Sequence, residues 1–271
     1  MFFPKNKVKQ NLQNGIVSVG VEFMSDSIKL IELVGYTGFD YIQFDMEHTP
    51  YSFHDIERFI RAADGVGLTT FLRVADADPT NIKRGLETGA QGLLVPQVES
   101  ADHVANIIAA MHYPPLGTRG MCPITRAAHY SETTWNEYIA WSQTEVLFIP
   151  LIENRDAVND LEAICHIPGV DAIAVGAGDL GQSLGAGAAG LSSEVVRGAV
   201  ETIQKTASRN SIPTWAMPNL NGDANGSVAS LINNGARLIT YDADLLMFRR
   251  QCEAIIESMN ELLAVKAQSK T

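Results

Sequence analysis

Three ionisable residues crowd the stretch Asp45-Met46-Glu47-His48-Thr49-Pro50, at the end of the β-rich run Tyr41–Met46. Such a density of charge is costly in a core and suited to acid–base work, and His48 is the side-chain type that titrates near neutral pH. A purely structural reading also exists, in which Asp45 or Glu47 caps the next helix and His48 sits on a rim. Arg73 lies near the end of the next apolar run, Thr69–Val74. A guanidinium among apolar neighbours needs an anionic partner, either a carboxylate such as Asp45 or Glu47 or the carboxylate of a ligand. Further on, Glu153 follows Pro150-Leu151-Ile152 and Asp179 follows Gly176-Ala177-Gly178. These two carboxylates stand 26 residues apart, one strand–helix unit, and can converge on a hard divalent cation that completes its shell with water and substrate oxygens. The alternative is that Asp179 caps a helix beginning at Leu180. Gly176 and Gly178 allow close backbone approach, and an exposed amide there suits an anion.

Positioning these residues requires a regular scaffold, and the hydrophobic pattern supplies one. Eight strand candidates, Val17–Glu22, Tyr41–Met46, Thr69–Val74, Gly92–Val98, Val146–Ile152, Asp171–Val175, Pro213–Met217 and Arg237–Tyr241, alternate with helical patterns from end to end. The helical patterns are Asp26–Thr37, His54–Gly65, Pro79–Thr88, Ala101–Met111, Ala157–Cys165, Ser193–Ser208, Ser227–Asn234 and a long one over Leu245–Ala264. Eight such units without a Gly/Ser/Pro-rich linker predict an α/β fold, a closed (β/α)8 TIM barrel, as a single domain over residues 1–271. In that fold the chemistry sits at the C-terminal strand ends, where Asp45, His48, Arg73, Glu153 and Asp179 all fall. Trp215 ends the seventh run and is expected to wall the pocket. The stretch from Pro114 to Trp135 lacks periodicity and is expected to be a functional loop approaching the fifth strand from the N-terminal side.

With 46% hydrophobic residues the 271-residue chain has ample material for a core, and its net charge of −11 argues against a sequence-independent nucleic-acid binder. Cys122, Cys165 and Cys252 form no CxxC pair, which argues against a disulfide framework or thiolate zinc site and for a reducing compartment. No apolar stretch is long enough for a secretory signal or membrane span, so the expectation is a cytoplasmic protein with no membrane or nucleic-acid partner.

In combination the motifs resemble a known family. Phe44-Asp45-Met46-Glu47-His48, Leu72-Arg73-Val74, Gly89-Ala90-Gln91-Gly92-Leu93-Leu94-Val95-Pro96, Tyr113-Pro114-Pro115-Leu116-Gly117-Thr118-Arg119-Gly120, Ile152-Glu153-Asn154-Arg155 and Gly176-Ala177-Gly178-Asp179-Leu180 occur in the order and spacing of the class II, metal-dependent pyruvate aldolases, the group of 4-hydroxy-2-oxoheptanedioate aldolase and 2-dehydro-3-deoxyglucarate aldolase. The resemblance runs over about residues 15–260. It implies a phosphoenolpyruvate/pyruvate-type barrel, Glu153 and Asp179 as ligands of Mg²⁺ or Mn²⁺ (Co²⁺ being a further candidate), His48 as catalytic base and Arg73 as stabiliser of the enolate. By the same resemblance Glu87 stands where the family has an aspartate that supports the histidine. Asp45, Gly178 and Leu151 fall at further site positions, and the assembly is a homohexamer, a trimer of dimers exchanging the last helix. Two positions depart from the family pattern: Leu151 replaces a substrate-binding glutamine, and Gly176-Ala177-Gly178-Asp179 replaces Gly-Pro-Ala-Asp. The first predicts a more apolar or differently sized acceptor aldehyde. The loop Arg119–His129 departs as well, which bears on substrate choice.

The chemistry is consistent with that resemblance. Cleaving a carbon–carbon bond beside a 2-oxo acid leaves an enolate, whose charge calls for a Lewis acid and a nearby cation. No lysine occupies a strand end, which disfavours a Schiff base. The expected reaction is reversible cleavage of a 4-hydroxy-2-oxo acid to pyruvate, or a close 2-oxo acid, and an aldehyde. The alternative is a siderophore-type citrate synthase condensing oxaloacetate with acetyl-CoA on the same barrel.

Overall fold

The computed structural model describes residues 3–220 and 224–268. The chain opens with α1 (Lys7–Gln13), followed by β1 (Ser18–Phe23), α2 (Ile28–Tyr36), β2 (Tyr41–Asp45), α3 (Phe53–Gly65), β3 (Thr69–Arg73), α4 (Pro79–Glu87), β4 (Gly92–Val95) and α5 (Ala101–Met111). After a long loop come α6 (Trp135–Glu145), β5 (Leu147–Ile152), α7 (Arg155–Asn159), α8 (Leu161–Cys165), β6 (Ile173–Val175) and α9 (Ala177–Ser183). A 3-10 turn at Gly187–Ser192 leads to α10 (Glu194–Arg209), β7 (Thr214–Ala216), α11 (Ala224–Asn233), β8 (Ala236–Ala243) and α12 (Asp244–Gln268). The eight strands pair in parallel in sequence order and β8 closes on β1, the barrel predicted from the alternating pattern.

Side-chain alternation along the strands sorts residues between two cores. Ile42, Phe44, Leu72, Phe148 and Ile152 point outward under the helices, whereas Tyr41, Phe71, Leu147, Ile149 and Leu151 fill the barrel. The same alternation carries Arg73 and Glu153 to the interior at the C-terminal mouth, two positions beyond Phe71 and Leu151. At the opposite end Val8 of α1 is fully buried in the interior cluster and closes the barrel floor. Asn6 secures this plug: its Oδ1 accepts from Lys9 N at 3.1 Å and its Nδ2 donates to the carbonyls of Gln91 and Glu145, each at 3.0 Å.

Several elements differ from the sequence expectation. The pattern Ala157–Cys165 splits into α7 and α8 at Asp160, α1 and α6 were not foreseen, and α9 was foreseen only as the alternative of a helix from Leu180. In α6 Trp135, Tyr138 and Trp141 share one face around the buried Tyr138 and Ser142, a face of aromatic and polar residues in place of an aliphatic stripe. The long loop stays on the N-terminal side: Ala127 N donates to Glu87 O at 3.3 Å and Arg126 Nη1 to Thr88 O at 2.9 Å. Beneath it Phe3, Tyr113, Ala127, Ala128 and Tyr138 form a separate aromatic cluster.

Candidate active site

At the C-terminal mouth, β2 and β3 are in register with Asp45 opposite Arg73. Arg73 Nε donates to Asp45 Oδ1 at 2.8 Å and its Nη2 to Oδ2 at 2.5 Å, a two-point ion pair in which the Asp45 side chain is fully buried. Asp45 Oδ1 also accepts from the backbone N–H groups of Glu47 and His48 at 2.9 and 3.3 Å. Burial works to raise the Asp45 pKa, but the hydrogen bond and charge of Arg73, with those two amides, outweigh it and hold the carboxyl below its ordinary value. Asp45 therefore fixes Arg73 and the turn that carries His48, and it does not cap a helix. The cap of α3 is Ser52, reciprocated by Asp55.

His48 stands on the rim with its side chain 52% exposed, Nε2 3.6 Å from Glu47 Oε2. Glu47 Oε2 is buried without a hydrogen-bond partner and also lies 3.5 Å from Arg73 Nε. Across the mouth, Glu153 is buried and its Oε1 accepts from Gln97 N at 2.6 Å. Gln97 holds a left-handed backbone, φ 54°, which aims that N–H. Burial, together with the charges of Glu47 and Asp179, pushes the Glu153 carboxyl up to about 7 against the pull of the Gln97 amide. Asp179 lies in the first turn of α9, which begins at Ala177 rather than Leu180, and its Oδ1 accepts from Gln182 Nε2 at 3.3 Å.

Of these groups Arg73, Glu153 and Asp179 line a cavity of about 510 Å³ together with Gly178, Leu151 and Trp215, all foreseen from the sequence, whereas Asp45, Glu47 and His48 are not part of its lining. Trp215 is held by its Nε1 donating to Thr240 Oγ1 at 2.7 Å and by edge contacts with Tyr41 and Phe71. Glu22 and Gln43 line the same cavity and escaped the sequence reading. Gln43 Nε2 donates to Glu22 Oε1 at 3.2 Å, and Arg73 Nη2 reaches the same oxygen at 3.3 Å. Glu22 closes the first apolar run just as Arg73 closes the third, so a charge at a strand end was the signal available.

The chain does not bring Glu87 to His48. α4 descends from the end of β3, and over nine residues, about 13 Å, it delivers Glu87 to the N-terminal side of the barrel, where its carbonyl meets the long loop. Arg126 and His129 of that loop line a second cavity at the N-terminal end, with Lys5 and Trp141, and so do not border the candidate site of their own chain.

Glu153 and Asp179 suit a cation, since burial and the nearby charges of Glu47 and Asp179 push the Glu153 carboxyl up, and Glu47 Oε2 is buried without a hydrogen bond beside them. Among the described residues no three His, Cys, Asp or Glu side chains enclose an ion on their own. A site of two carboxylates leaves coordination positions open, which fits a Mg²⁺-type ion.

The family described as HpcH/HpaI aldolase/citrate lyase matches residues 21–245. This chain belongs to that family. A 2-dehydro-3,6-dideoxy-6-sulfogluconate aldolase of Pseudomonas putida is 39% identical over 62% of this chain and 65% of its own length. A hydroxypyruvate/pyruvate aldolase of Sagittula stellata is 34% identical over 68% of the chain and 72% of its own. Among solved structures, an HpcH/HpaI aldolase/citrate lyase family protein from Burkholderia cenocepacia superposes with a TM-score of 0.86 at 26% identity, covering 94% of this chain and 99% of that one. The citrate synthase SbnG shares the fold, with a TM-score of 0.81 at 24% identity over 93% and 97% of the two chains. The named relatives are aldolases, which are carbon–carbon lyases.

Proposed function

We propose that this HpcH/HpaI-family chain is a divalent-metal-dependent aldolase that reversibly cleaves a 4-hydroxy-2-oxo acid into pyruvate, or a close 2-oxo acid, and an aldehyde. The observation that carries the reading is the convergence at one cavity of Arg73, locked by Asp45, with the paired carboxylates Glu153 and Asp179. Glu153 and Asp179 would hold Mg²⁺ or Mn²⁺, which when bound supplies Lewis acidity to the 2-oxo group. His48 takes the proton of the 4-hydroxyl, so the C3–C4 bond breaks as the aldehyde carbonyl forms. The electron pair passes to the C2–C3 enolate, and Arg73 stabilises the charge that gathers on its oxygen. Protonation at C3 then gives pyruvate. Gly178, in the first turn of α9, offers a backbone N–H to the substrate carboxylate, while Leu151 and Trp215 exclude water.

We further infer a homo-oligomer built through α12. Leu245, Phe248, Ile255, Ile256, Met259 and Leu262 are all exposed on this helix, Phe248 at 72%, a run of apolar side chains suited to being covered by a partner. Three unpaired cysteines support a cytoplasmic setting, and among the described residues no helix is long and apolar enough to cross a membrane.

The decisive assay is pyruvate release from a 4-hydroxy-2-oxo acid, lost on chelation and restored by Mg²⁺ or Mn²⁺. Activity that survives chelation overturns the metal assignment. Thiol release from acetyl-CoA with oxaloacetate, in place of aldol cleavage, would make the chain a citrate synthase instead, a reading supported only by shared fold.

A further inference from the structure

The guanidinium of Arg73 is gripped on one edge and open on the other. Asp45 takes Nε and Nη2 in two parallel hydrogen bonds, which fix that edge but leave a hinge about the line joining the two carboxylate oxygens. A contact from a second strand restrains the hinge, since Nη2 also donates to Glu22 Oε1 of β1 at 3.3 Å. Nη1 makes no hydrogen bond or ion pair with the described residues, so it is the arm with donors to spare in a side chain that lines the cavity. Glu22 is in turn backed by Gln43. The two are register partners on β1 and β2, and Gln43 Nε2 donates at 3.2 Å to the same Glu22 oxygen that meets Arg73. Gln43 pairs with Phe71 on β3, so Arg73, two residues further along β3, reaches back across β2 to meet Glu22. Gln43 is 4% exposed and shares the interior with Tyr41, Phe71, Leu94, Leu151 and Trp215. Taking a carboxylate and an amide out of water in that setting costs free energy that apolar side chains would not, and the one side-chain hydrogen bond this pair makes beyond itself among the described residues is the one to Arg73.

We infer that Glu22, steadied by Gln43, is a positioning residue that sets the angle at which Arg73 Nη1 meets the enolate oxygen. The inference rests on the aldolase reading above and adds to it a residue pair that acts only through Arg73. Full negative charge gathers on that oxygen in the enolate and not in the 2-oxo acid, so a guanidinium that swings on its Asp45 hinge loses more of its hold on the enolate than on the ground state. Asp45 keeps the cation in place, and Glu22 keeps it aimed.

The test compares the affinities of oxalate, a planar dianion that mimics the enolate, and of pyruvate, each titrated calorimetrically into the protein with saturating Mg²⁺. Glu22→Leu, which removes the acceptor, is expected to weaken oxalate by about tenfold while pyruvate changes by less than about threefold, and Glu22→Gln, which keeps an oxygen for Nη2, to recover most of that loss. The sign is diagnostic. Deleting a negative charge beside the site by itself strengthens binding of a dianion more than of a monoanion, so weaker oxalate binding reports a misplaced Arg73. Equal loss for both ligands, unchanged affinities or a gain for oxalate in folded Glu22→Leu overturns the inference, as does a Glu22→Gln protein no better than Glu22→Leu. Should Glu22→Leu fail to fold, Gln43→Leu is expected to move the oxalate-to-pyruvate ratio in the same direction by about threefold, and a ratio unchanged there overturns it. Metal-supported deuterium exchange at C3 of pyruvate by the native protein separates the two readings. Its absence defeats the aldolase assignment and this inference with it, whereas its presence with an unchanged oxalate-to-pyruvate ratio in the variants defeats the inference alone.

Discussion

Replacing Gly176 by alanine tests how closely the two metal-binding candidates depend on one backbone approach. A Cβ at this position would lie 2.5 Å from Glu153 Oε2 and 2.8 Å from Glu153 Cβ. Ordinary contact begins near 3.4 Å, so the Glu153 side chain or the Gly176 backbone must give by about 0.6 to 0.9 Å. The backbone itself accepts alanine, with φ −90° and ψ 82°. Glu153 has little room to yield because its other oxygen is tethered to Gln97 N at 2.6 Å. Displacement of a reacting constellation by about 1 Å costs on the order of 10²-fold in rate, and overpacking costs about 1–3 kcal/mol of stability. The expected outcome in a pyruvate-release assay is a kcat/KM about 100-fold lower, a higher half-saturating Mg²⁺ or Mn²⁺ concentration, and a cooperative melt at a reduced Tm. Gly178→Ala is the control, since nothing lies within 4 Å of its added methyl, and its metal dependence should stay native. A folded Gly176→Ala enzyme with native kcat/KM and native metal dependence would refute the reasoning.

Three other outcomes follow from the same geometry. The folded Asp45 pKa lies below its unfolded value, so its contribution to stability is complete above the unfolded value, near 3.8, and is lost as pH falls through the lower folded value; urea midpoints should drop in that acid range, and Asp45→Asn should flatten this part of the profile. Removing that charge takes from Arg73 its shortest ion pair while Glu22 and Glu47 stay at 3.3 and 3.5 Å, and at pH 7 the variant should be about 1–3 kcal/mol less stable by denaturant melts. Arg73→Lys cannot reproduce the two-point pair with Asp45, and kcat should fall about 10²- to 10³-fold in steady-state assays while the fold survives by circular dichroism. Phe248→Glu with Ile256→Glu on α12 should shift sedimentation toward smaller species; an unchanged sedimentation coefficient counts against assembly through that helix.

The barrel was legible because each strand is a short apolar run and each run is followed by an amphipathic segment, a signal that survives uncertain boundaries. Arg73, Glu153, Asp179 and Trp215 were legible for the related reason that strand ends in this fold converge, so sequence position translates into a place at the mouth, whereas Leu151 was marked by the family resemblance alone. Glu22 carried the same signal and was passed over because a single glutamate closing a run also reads as ordinary surface. Gln97 could not be read at all: its contribution is a backbone N–H aimed by a left-handed φ, which no side-chain pattern encodes. Val200, Gln204 and Leu231 line the cavity from helices α10 and α11, whose packing against β6 and β7 is a tertiary outcome. Glu87 shows the opposite limit, since motif spacing gives its place along the chain but not the direction in which α4 carries it.

The plug formed by α1 gives the barrel a traffic rule. With Val8 sealing the lower end and Tyr41, Phe71 and Trp215 packed edge to face above it, the interior is a filled core that opens only at its C-terminal mouth, with no tunnel through it. Reactants and products share one doorway, and whatever sits deepest is trapped by what lies above. If the proposed aldolase seats the 2-oxo acid against Arg73 and the aldehyde toward α10 and α11, the expected order is aldehyde out first in cleavage and in last in synthesis. Turnover is thereby a queue, and product inhibition by the 2-oxo acid should compete with the intact substrate for the empty enzyme.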